Sequence, residues 1–457
     1  MFVLSTIPDA IPTADLVVRA LEAIAWISCD RQTRGGNGAM HYLVSRRVRP
    51  KLVILMLLLL FSPISSCRGD AGQNRNDRGA TTATLGPEEE VRFTSGSTSL
   101  AGTLFWPAER IDCPAVVVLA GSDRSRRGEL RTAIARHFAA HGVAAMVYDS
   151  PGTGSSSGNA LLQSSADRVA EALSAVAYVQ SLPGIRSTAV GLFGGSEGAN
   201  VALMACAGNN GVAFVIPVSS SLGVSILDIL RYNAEKKGYE QGFTPEEIAQ
   251  ATTFKEIAFV LLSGVAIVEW TLVESRVKQW GDPAWPAFID LAKQRGKELT
   301  QIEKQAFLDS FRTIVAHFVT QRWFAMVDEG NAVQRMLGVD TNTFFGLLES
   351  GRYSRDWERS LCFGDADIRI PVLAIWGEED SFLPPHQSAE RLKKYLKDSS
   401  HSDYEVIVFK DASHFLTLPG SRSDFVPGYL DTIMNWVGKR FSSEVRSRPQ
   451  RSSERAP

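Results

Sequence analysis

Six apolar runs of seven residues each, rich in β-branched side chains, constrain the fold of this chain most strongly. Such runs are typical of strands buried on both faces of a parallel sheet, and segments with helical spacing of apolar residues separate most of them. The segment EVRFTSGSTSLAGTLFWP ahead of them predicts two further strands around a turn. The alternation predicts a mostly parallel central sheet flanked by helices. The six runs are residues 115–121, 143–149, 188–194, 212–218, 371–377 and 404–410.

The alternation stops between residues 222 and 365, where no convincing strand pattern occurs. Within this stretch Thr244 is a candidate N-cap, with Pro245 in the first turn and Glu247 three residues after the cap. We therefore predict an α/β core formed by residues 89–221 and 366–441, interrupted by a large helical cap at 222–365. Two interpretations remain for the tryptophans of the cap, which either form its own core or line an apolar substrate channel. They are Trp270, Trp280, Trp285 and Trp323.

A basic segment and a short apolar segment precede the predicted core. SRRVRPK leads into LVILMLLLLF, which is too short to span a bilayer, and SPISSC follows, ending at Cys67. This order is typical of a secretory signal peptide, and ISSC resembles a bacterial lipobox whose cysteine carries the lipid. We expect residues 40–67 to be a lipoprotein-type signal peptide, with an uncleaved signal anchor as the alternative. The protein would then lie in the cell envelope, facing the periplasm or the surface, and would be secreted if it has no anchor.

Signal peptides begin near the start of a protein, but 39 residues precede this one. We therefore expect translation to start at Met40, so that residues 1–39 are a non-native or disordered extension. The alternative is that residues 1–39 are a genuine part of the protein. Residues 68–88 are polar and predict a flexible tether, and residues 442–457 predict a disordered tail.

A serine stands between glycines in GLFGGSEGAN, directly after one of the apolar runs and ahead of a helical pattern. Gly194, Ser196 and Gly198 fit a sharp strand-to-helix turn in which small flanking residues avoid clashes with the neighbouring strand and helix. This turn would hold the Ser196 hydroxyl at the carboxyl end of the sheet. We interpret Ser196 as a nucleophile, the alternative being a glycine-rich turn without chemistry.

A nucleophilic serine needs a base oriented by an acid. His414 is the best candidate base, because it follows the last apolar run by four residues and so lies at the same sheet edge as Ser196. His386 and His401 are the competitors. The turn after the preceding run supplies the acid, for which Asp380 is favoured and Glu379 is the fallback.

The reaction also needs two backbone N–H groups to bind a developing oxyanion. Glu197, directly after the nucleophile, is one expected donor, and Ser122 in the loop after the first apolar run is the other. Arg124, Arg126 and Arg127 follow in the same loop. They are interpreted as a solvated surface or, alternatively, as a site for an anionic group at the pocket mouth.

Charge and cysteine usage narrow the other classes of function. The formal net charge is −2, so nothing favours nucleic acid as a partner. The five cysteines include no CxxC pair and no zinc-like cluster with histidine, so no structural metal site is expected. Cys206 lies in an apolar run, so we predict that it is a plain core residue.

Together these segments resemble the α/β-hydrolase superfamily, and specifically bacterial esterases grouped with serine aminopeptidase-like hydrolases. The resemblance rests on LAGTLFWP, VVVLAGSDRSRRGE, VYDSPGTGSSSG, GLFGGSEGAN, PVLAIWGEEDSFLPP and FKDASHF. The order Ser196, Asp380, His414 agrees with that architecture. The chain departs from its relatives at Ala120, where a histidine is common, and at Pro151, where an arginine is usual. Asp149 is then expected to be structural.

The resemblance implies hydrolysis of a small-molecule carboxylic ester through an acyl-enzyme, without metal or cofactor. A peptidase, an acyl thioesterase or an acyltransferase using the same three residues is the alternative within enzymes. A non-catalytic, envelope-anchored binding protein is the alternative from another class. The spacing of residues does not distinguish acyl or leaving groups, and it does not indicate an oligomeric state.

Overall fold

The computed structural model describes residues 85–122, 127–160, 163–208, 211–264, 267–327, 333, 337–350, 367–421 and 424–441. The predicted signal peptide, Cys67, most of the predicted tether and the predicted tail lie outside these residues, as do Arg124 and Arg126. Among the described residues, no helix combines the length and the apolar character needed to cross a membrane.

Eight strands form one sheet in the order β1-β2-β4-β3-β5-β6-β7-β8. β1 and β2 are antiparallel to each other, β2 is antiparallel to β4, and every other neighbouring pair is parallel. This arrangement confirms the predicted mostly parallel α/β sheet. The strands are β1 (Leu85–Ser95), β2 (Thr98–Pro107), β3 (Cys113–Leu119), β4 (Ala144–Tyr148), β5 (Ile185–Gly195), β6 (Val215–Val218), β7 (Val372–Gly377) and β8 (Tyr404–Phe409).

Helices cover both faces of this sheet and build the segment between β6 and β7. They are α1 (Glu129–Ala140), α2 (Ser165–Gln180), α3 (Glu197–Ala205), α4 (Ile226–Glu240), α5 (Pro245–Ser263), α6 (Trp270–Lys278), α7 (Ala284–Lys293), α8 (Gln301–Phe318), α9 (Thr341–Ser350), α10 (Pro385–Asp398) and α11 (Tyr429–Phe441). A 3-10 helix, Arg322–Met326, follows α8. The apolar sides of α2, α3 and α10 pack on one face of the sheet, and those of α1 and α11 pack on the other.

The folded body begins earlier than the sequence predicts. Leu85 to Glu88, assigned to the tether, already belong to β1, which pairs with β2 through an irregularity between Leu85 and Glu88. Gly86 and Pro87 suggest a loop, but β1 is an edge strand, and an edge tolerates a proline that a central strand does not. The boundary predicted at residue 89 is therefore four residues too late.

The cap between β6 and β7 is helical in its described residues and has a hydrophobic core of its own. Thr244 caps α5 as predicted, since its side chain accepts from the Glu247 amide while Glu247 caps the Thr244 amide in return. Trp285 and Trp323 are buried and stack in this core, so for these two the interpretation as cap core is confirmed. Trp270 and Trp280 are partly buried against the same core.

Candidate active site

The strand order changes direction between β3 and β5, whose carboxyl ends lie side by side. β4 lies on one side of β3 and β5 lies on the other, which makes this edge a topological switch point. Open parallel sheets bind ligands in the crevice that such a point leaves outside the strand ends. The loop from Ala120 to Ser122 follows β3 at this crevice, and Ser196 follows β5.

Ser196 connects β5 directly to α3 in a conformation that L-residues rarely adopt. Its φ is 56° and its ψ is −126°, and such a backbone costs on the order of 1–3 kcal/mol. The surrounding contacts maintain it, because the Ser196 amide donates to the Val218 carbonyl at 2.9 Å and the Ala199 amide donates back to Ser196. The Ser196 side chain is half-buried. The sequence pattern and the observed strand–turn–helix geometry therefore agree.

The glycines flanking Ser196 are required by close backbone approaches. A Cβ atom at Gly194 would lie 2.1 Å from the Gly198 carbonyl oxygen, and one at Gly198 would lie 2.6 Å from the Ala120 carbonyl oxygen. Neither distance is compatible with a side chain. The turn is therefore pressed against the loop that follows β3.

Asp380 and His414 are in direct contact at the carboxyl ends of β7 and β8. His414 Nδ1 lies 2.7 Å from Asp380 Oδ2, and both side chains are buried. The other carboxylate oxygen, Oδ1, accepts from the amides of Phe382 at 2.7 Å and Leu383 at 2.9 Å. Since a carboxylate only accepts, Nδ1 is the nitrogen that donates to Asp380, so a neutral imidazole would present its lone pair on Nε2.

The competing acid and bases lie elsewhere. Glu379 is exposed and pairs with Lys236 of α4. His386 is in the first turn of α10, and His401 lies at the opposite edge of the sheet, where its Nε2 contacts the Ile370 carbonyl. The structure thus brings His414 together with Asp380 and leaves these three residues in other surroundings.

A run of three serines after β6 links Ser196 to His414, and the sequence analysis missed it. Ser219 follows Val218, which accepts from the Ser196 amide, and Ser219 Oγ donates to the His414 carbonyl at 2.8 Å. Asn200 of α3 is fully buried and bonds to Ser220 Oγ and to the Ser221 amide. The visible signal was a polar triplet directly after a buried strand at the edge that carries Ser196.

The first helix of the cap, α4, contacts the turn that contains Asp380. Tyr232 Oη donates to the Asp380 carbonyl at 2.5 Å, and Asn233 Nδ2 donates to the Ser381 carbonyl at 2.9 Å. Burial, with the nearby Asp380 carboxylate, raises the pKa of Tyr232, so the hydroxyl stays a donor. Leu383 adds an apolar contact to the same helix. These cap residues also carried no signal in the sequence.

Two aromatic rings border the imidazole of His414. Phe382 lies with its ring centre 4.9 Å from the imidazole, and Phe415 packs edge-on at 5.0 Å. Phe415 is 51% exposed, which is unusual for an aromatic side chain beside a buried polar pair. The buried imidazole therefore has an aromatic border, part of which is exposed to solvent.

The arginines after β3 require one correction. Arg127 is not part of a solvated surface, because its amide and its guanidinium both donate to the buried Asp149 carboxylate and Nη1 also pairs with Glu90. Asp149 further accepts from the Ser155 amide at 3.1 Å, in agreement with the structural role expected for it. Although burial works against its charge, these donors hold the pKa of Asp149 below its usual range.

Comparison with known proteins identifies the family. A sequence model described as "Alpha/beta hydrolase family" matches residues 116–426, which is more than half of the chain. The chain belongs to the alpha/beta hydrolase family. A search of curated protein sequences gives no match. In the described residues of this family member, no group of three or more His, Cys, Asp or Glu side chains is arranged to hold a metal ion.

Solved structures that match this chain include several hydrolases. The Pyrococcus furiosus esterase Pf2001 is 13% identical, with 81% of this chain and 97% of the other covered at a TM-score of 0.42. Est1E from Butyrivibrio proteoclasticus, solved with ferulic acid, is 13% identical, with 76% and 96% covered at a TM-score of 0.37. A 2,6-dihydroxy-pseudo-oxynicotine hydrolase is 16% identical, with 77% and 67% covered at a TM-score of 0.40.

Proposed function

We propose that this alpha/beta hydrolase is a serine hydrolase that cleaves carboxylic esters through an acyl-enzyme. The observation that carries the proposal is the pairing of a strained serine turn with a buried His414–Asp380 pair at the same edge of the sheet. The family match supports hydrolysis as the class of reaction. The assignment of the three residues and of the ester substrate is ours.

Each residue has a defined task in the proposed reaction. Ser196 Oγ attacks the ester carbonyl carbon while its proton passes to His414 Nε2, and the carbonyl electron pair moves onto oxygen. The amides of Ser122 and Glu197 donate to that oxyanion. The leaving alkoxide takes the proton from His414, and water then attacks the acyl-enzyme by the same route, which releases the acid and restores Ser196.

Asp380 keeps the imidazole in the tautomer that this reaction needs. Its two amide donors and its bond to His414 satisfy the buried carboxylate, so it can remain charged and stabilise the imidazolium that forms. The aromatic border of His414 favours esters with apolar groups, because an apolar group gains more by leaving water for such a surface than a charged one does.

Labelling and turnover test the proposal directly. Purified protein is treated with a fluorophosphonate probe and assayed on p-nitrophenyl esters of increasing acyl length, on acyl thioesters and on aminoacyl amides. We expect labelling at Ser196, ester turnover, and a loss of at least about 10⁴-fold in kcat for Ser196→Ala. Ser181→Ala, a serine that bonds the Tyr178 carbonyl at the end of α2, is the matched control and should retain activity.

The same experiment contains the results that would contradict us. Labelling of a different residue would remove Ser196 from its role. Equal background rates for the wild type and Ser196→Ala on every substrate would remove the enzymatic function. Faster turnover of thioesters or aminoacyl amides than of matched esters would move the substrate class to a thioesterase or a peptidase.

A further inference from the structure

A buried ion pair joins the helix α2 to the residue directly after Ser196. Arg168 Nη1 lies 2.8 Å from Glu197 Oε1, and the two side chains are only 8% and 10% exposed. Burying two charges is costly unless each is paired and further bonded. A pair in this position, one residue from the proposed nucleophile, therefore needs a structural or functional reason.

The other end of the same guanidinium holds the loop that follows β3. Arg168 Nη2 donates to the Ala120 carbonyl at 2.6 Å and lies 3.3 Å from the Gly121 carbonyl. One rigid, planar group thus contacts the loop and the serine turn at once. Only arginine can do this, because its donors form a fixed fork, whereas a lysine presents a single ammonium.

These contacts coincide with the two proposed oxyanion donors. Arg168 forms an ion pair with the side chain of Glu197, whose amide is one donor, and donates to the carbonyls of the two residues ahead of Ser122, whose amide is the other. The spacing between those amides decides how well they bind a tetrahedral oxyanion. The Arg168 guanidinium therefore connects the two segments that carry the Ser122 and Glu197 amides.

The Ala120 carbonyl lies between two neighbours. Ala120 has only a methyl group, and its carbonyl is enclosed by the Cα of Gly198 on one side and by Arg168 on another. The anchor on α2 is firm. Ser164 and Asp167 cap its first turn reciprocally, and Ala172, Ala175 and Val176 pack it into the sheet core.

We propose that Arg168 is a positioning residue that fixes the backbone donors of Ser122 and Glu197 relative to each other. The proposal rests on the proposed serine-hydrolase function. It assigns Glu197 a second task, since its carboxylate neutralises the buried guanidinium that orients the loop.

The test uses Arg168→Lys and the double variant Arg168→Met/Glu197→Gln, which removes both charges of the pair together. Arg186 is the matched control, because it also bonds one carboxylate and two backbone carbonyls, those of Asp112 and Phe441, but at the amino edge of the sheet. Arg186→Lys and Arg186→Met report the general cost of losing such a contact. Melting temperature is recorded for every variant.

Three measurements separate positioning from general stability: kcat and KM on the best p-nitrophenyl ester, the inhibition constant of a matching trifluoromethyl ketone, and the rate of fluorophosphonate labelling. A trifluoromethyl ketone forms a tetrahedral oxyanion on the nucleophile, so its affinity depends on the two amides. For the Arg168 variants we expect kcat to fall about 10- to 100-fold with KM little changed. The inhibitor should weaken by the factor by which kcat/KM falls.

The outcomes separate the two proposals. If the wild type shows neither labelling at Ser196 nor turnover, the proposed function fails and the role of Arg168 fails with it. If the wild type is active but Arg168→Lys matches it in kcat and in inhibitor affinity, only the role of Arg168 is overturned. It is overturned equally if the Arg168 and Arg186 variants lose kcat in the same proportion to their loss of melting temperature.

Discussion

The two sides of the candidate site are held in place by different kinds of interaction. The oxyanion side comprises Ala120–Ser122, Arg127 and Glu197. Two ion pairs, each with a buried carboxylate, hold this side, and they are Arg168–Glu197 and Arg127–Asp149. On the acid–base side, which comprises the turns after β7 and β8, neutral donors reach backbone carbonyls. These donors are Tyr232, Asn233 and Ser219.

This difference predicts how each side responds to a disturbance. Ionic contacts weaken when a carboxylate is protonated, whereas bonds from hydroxyl and amide groups do not depend on pH near neutrality. The acid–base side depends instead on the docking of α4, because two of its three neutral donors come from the cap. The Lys236–Glu379 ion pair between α4 and this side has an exposed carboxylate and contributes little.

The largest effect should come from breaking the contact between the buried Asp380 carboxylate and His414 on the acid–base side. Asp380→Asn presents either an amide nitrogen or a neutral oxygen to His414 Nδ1, so the imidazole loses its fixed tautomer. We expect kcat on p-nitrophenyl esters to fall by about 10⁴-fold.

Glu379→Gln is the control for Asp380→Asn, since Glu379 is the neighbouring carboxylate and its side chain pairs with Lys236 instead of His414. It should keep kcat near the wild-type value. Comparable losses in the two variants would mean that the acid has been assigned to the wrong residue.

Part of this site could be predicted from sequence because the signals are local. Ser196, Asp380 and His414 each follow a buried apolar run, and the direction of a parallel sheet then places all three at one edge. Gly194 and Gly198 are informative for the same reason, since the turn they permit is built from neighbouring residues. The hydrogen bond between His414 and Asp380 is what the structure adds.

The supports of the site could not be predicted, because they come from distant segments. Arg168 is one of many arginines in amphipathic helices, and nothing in its neighbours distinguishes it from a solvated residue. Tyr232 and Asn233 sit in a cap whose helices can be predicted but whose docking cannot. The sequence shows Glu197 only as the residue after Ser196, and its ion pair with the Arg168 guanidinium becomes visible only in the structure.

A smaller effect should distinguish the oxyanion side by its dependence on pH. The folded pKa of Asp149 lies below its unfolded value of about 3.9, so its charge stabilises the fold above that value, and the stabilisation disappears as pH falls through the folded pKa. Asp149→Asn should lose about 1–3 kcal/mol at pH 7, since hydrogen bonds to a charged group are removed. The melting temperatures of variant and wild type should converge below about pH 4.

Asp398→Asn is the control for this pH dependence, because Asp398 pairs with Lys394 on an exposed face of α10. It should follow the wild type at all pH values. A constant gap between Asp149→Asn and the wild type from pH 7 to pH 3 would show that the Asp149 contact is steric and not ionic.

The smallest effect should come from a neutral donor on the acid–base side. Tyr232→Phe removes one hydroxyl bond to the Asp380 carbonyl and leaves the packing of the ring, so we expect a loss of about 1 kcal/mol in stability. A fall of about tenfold or less in kcat is expected, with no change in the pH dependence of stability. Tyr239→Phe on the same helix is the control, since Tyr239 is 62% exposed.

If Tyr232→Phe changed the pH dependence of stability as Asp149→Asn does, the two sides of the site would not be held by different interactions. Unchanged kcat and stability in Tyr232→Phe would mean that the cap does not support the acid turn through this bond.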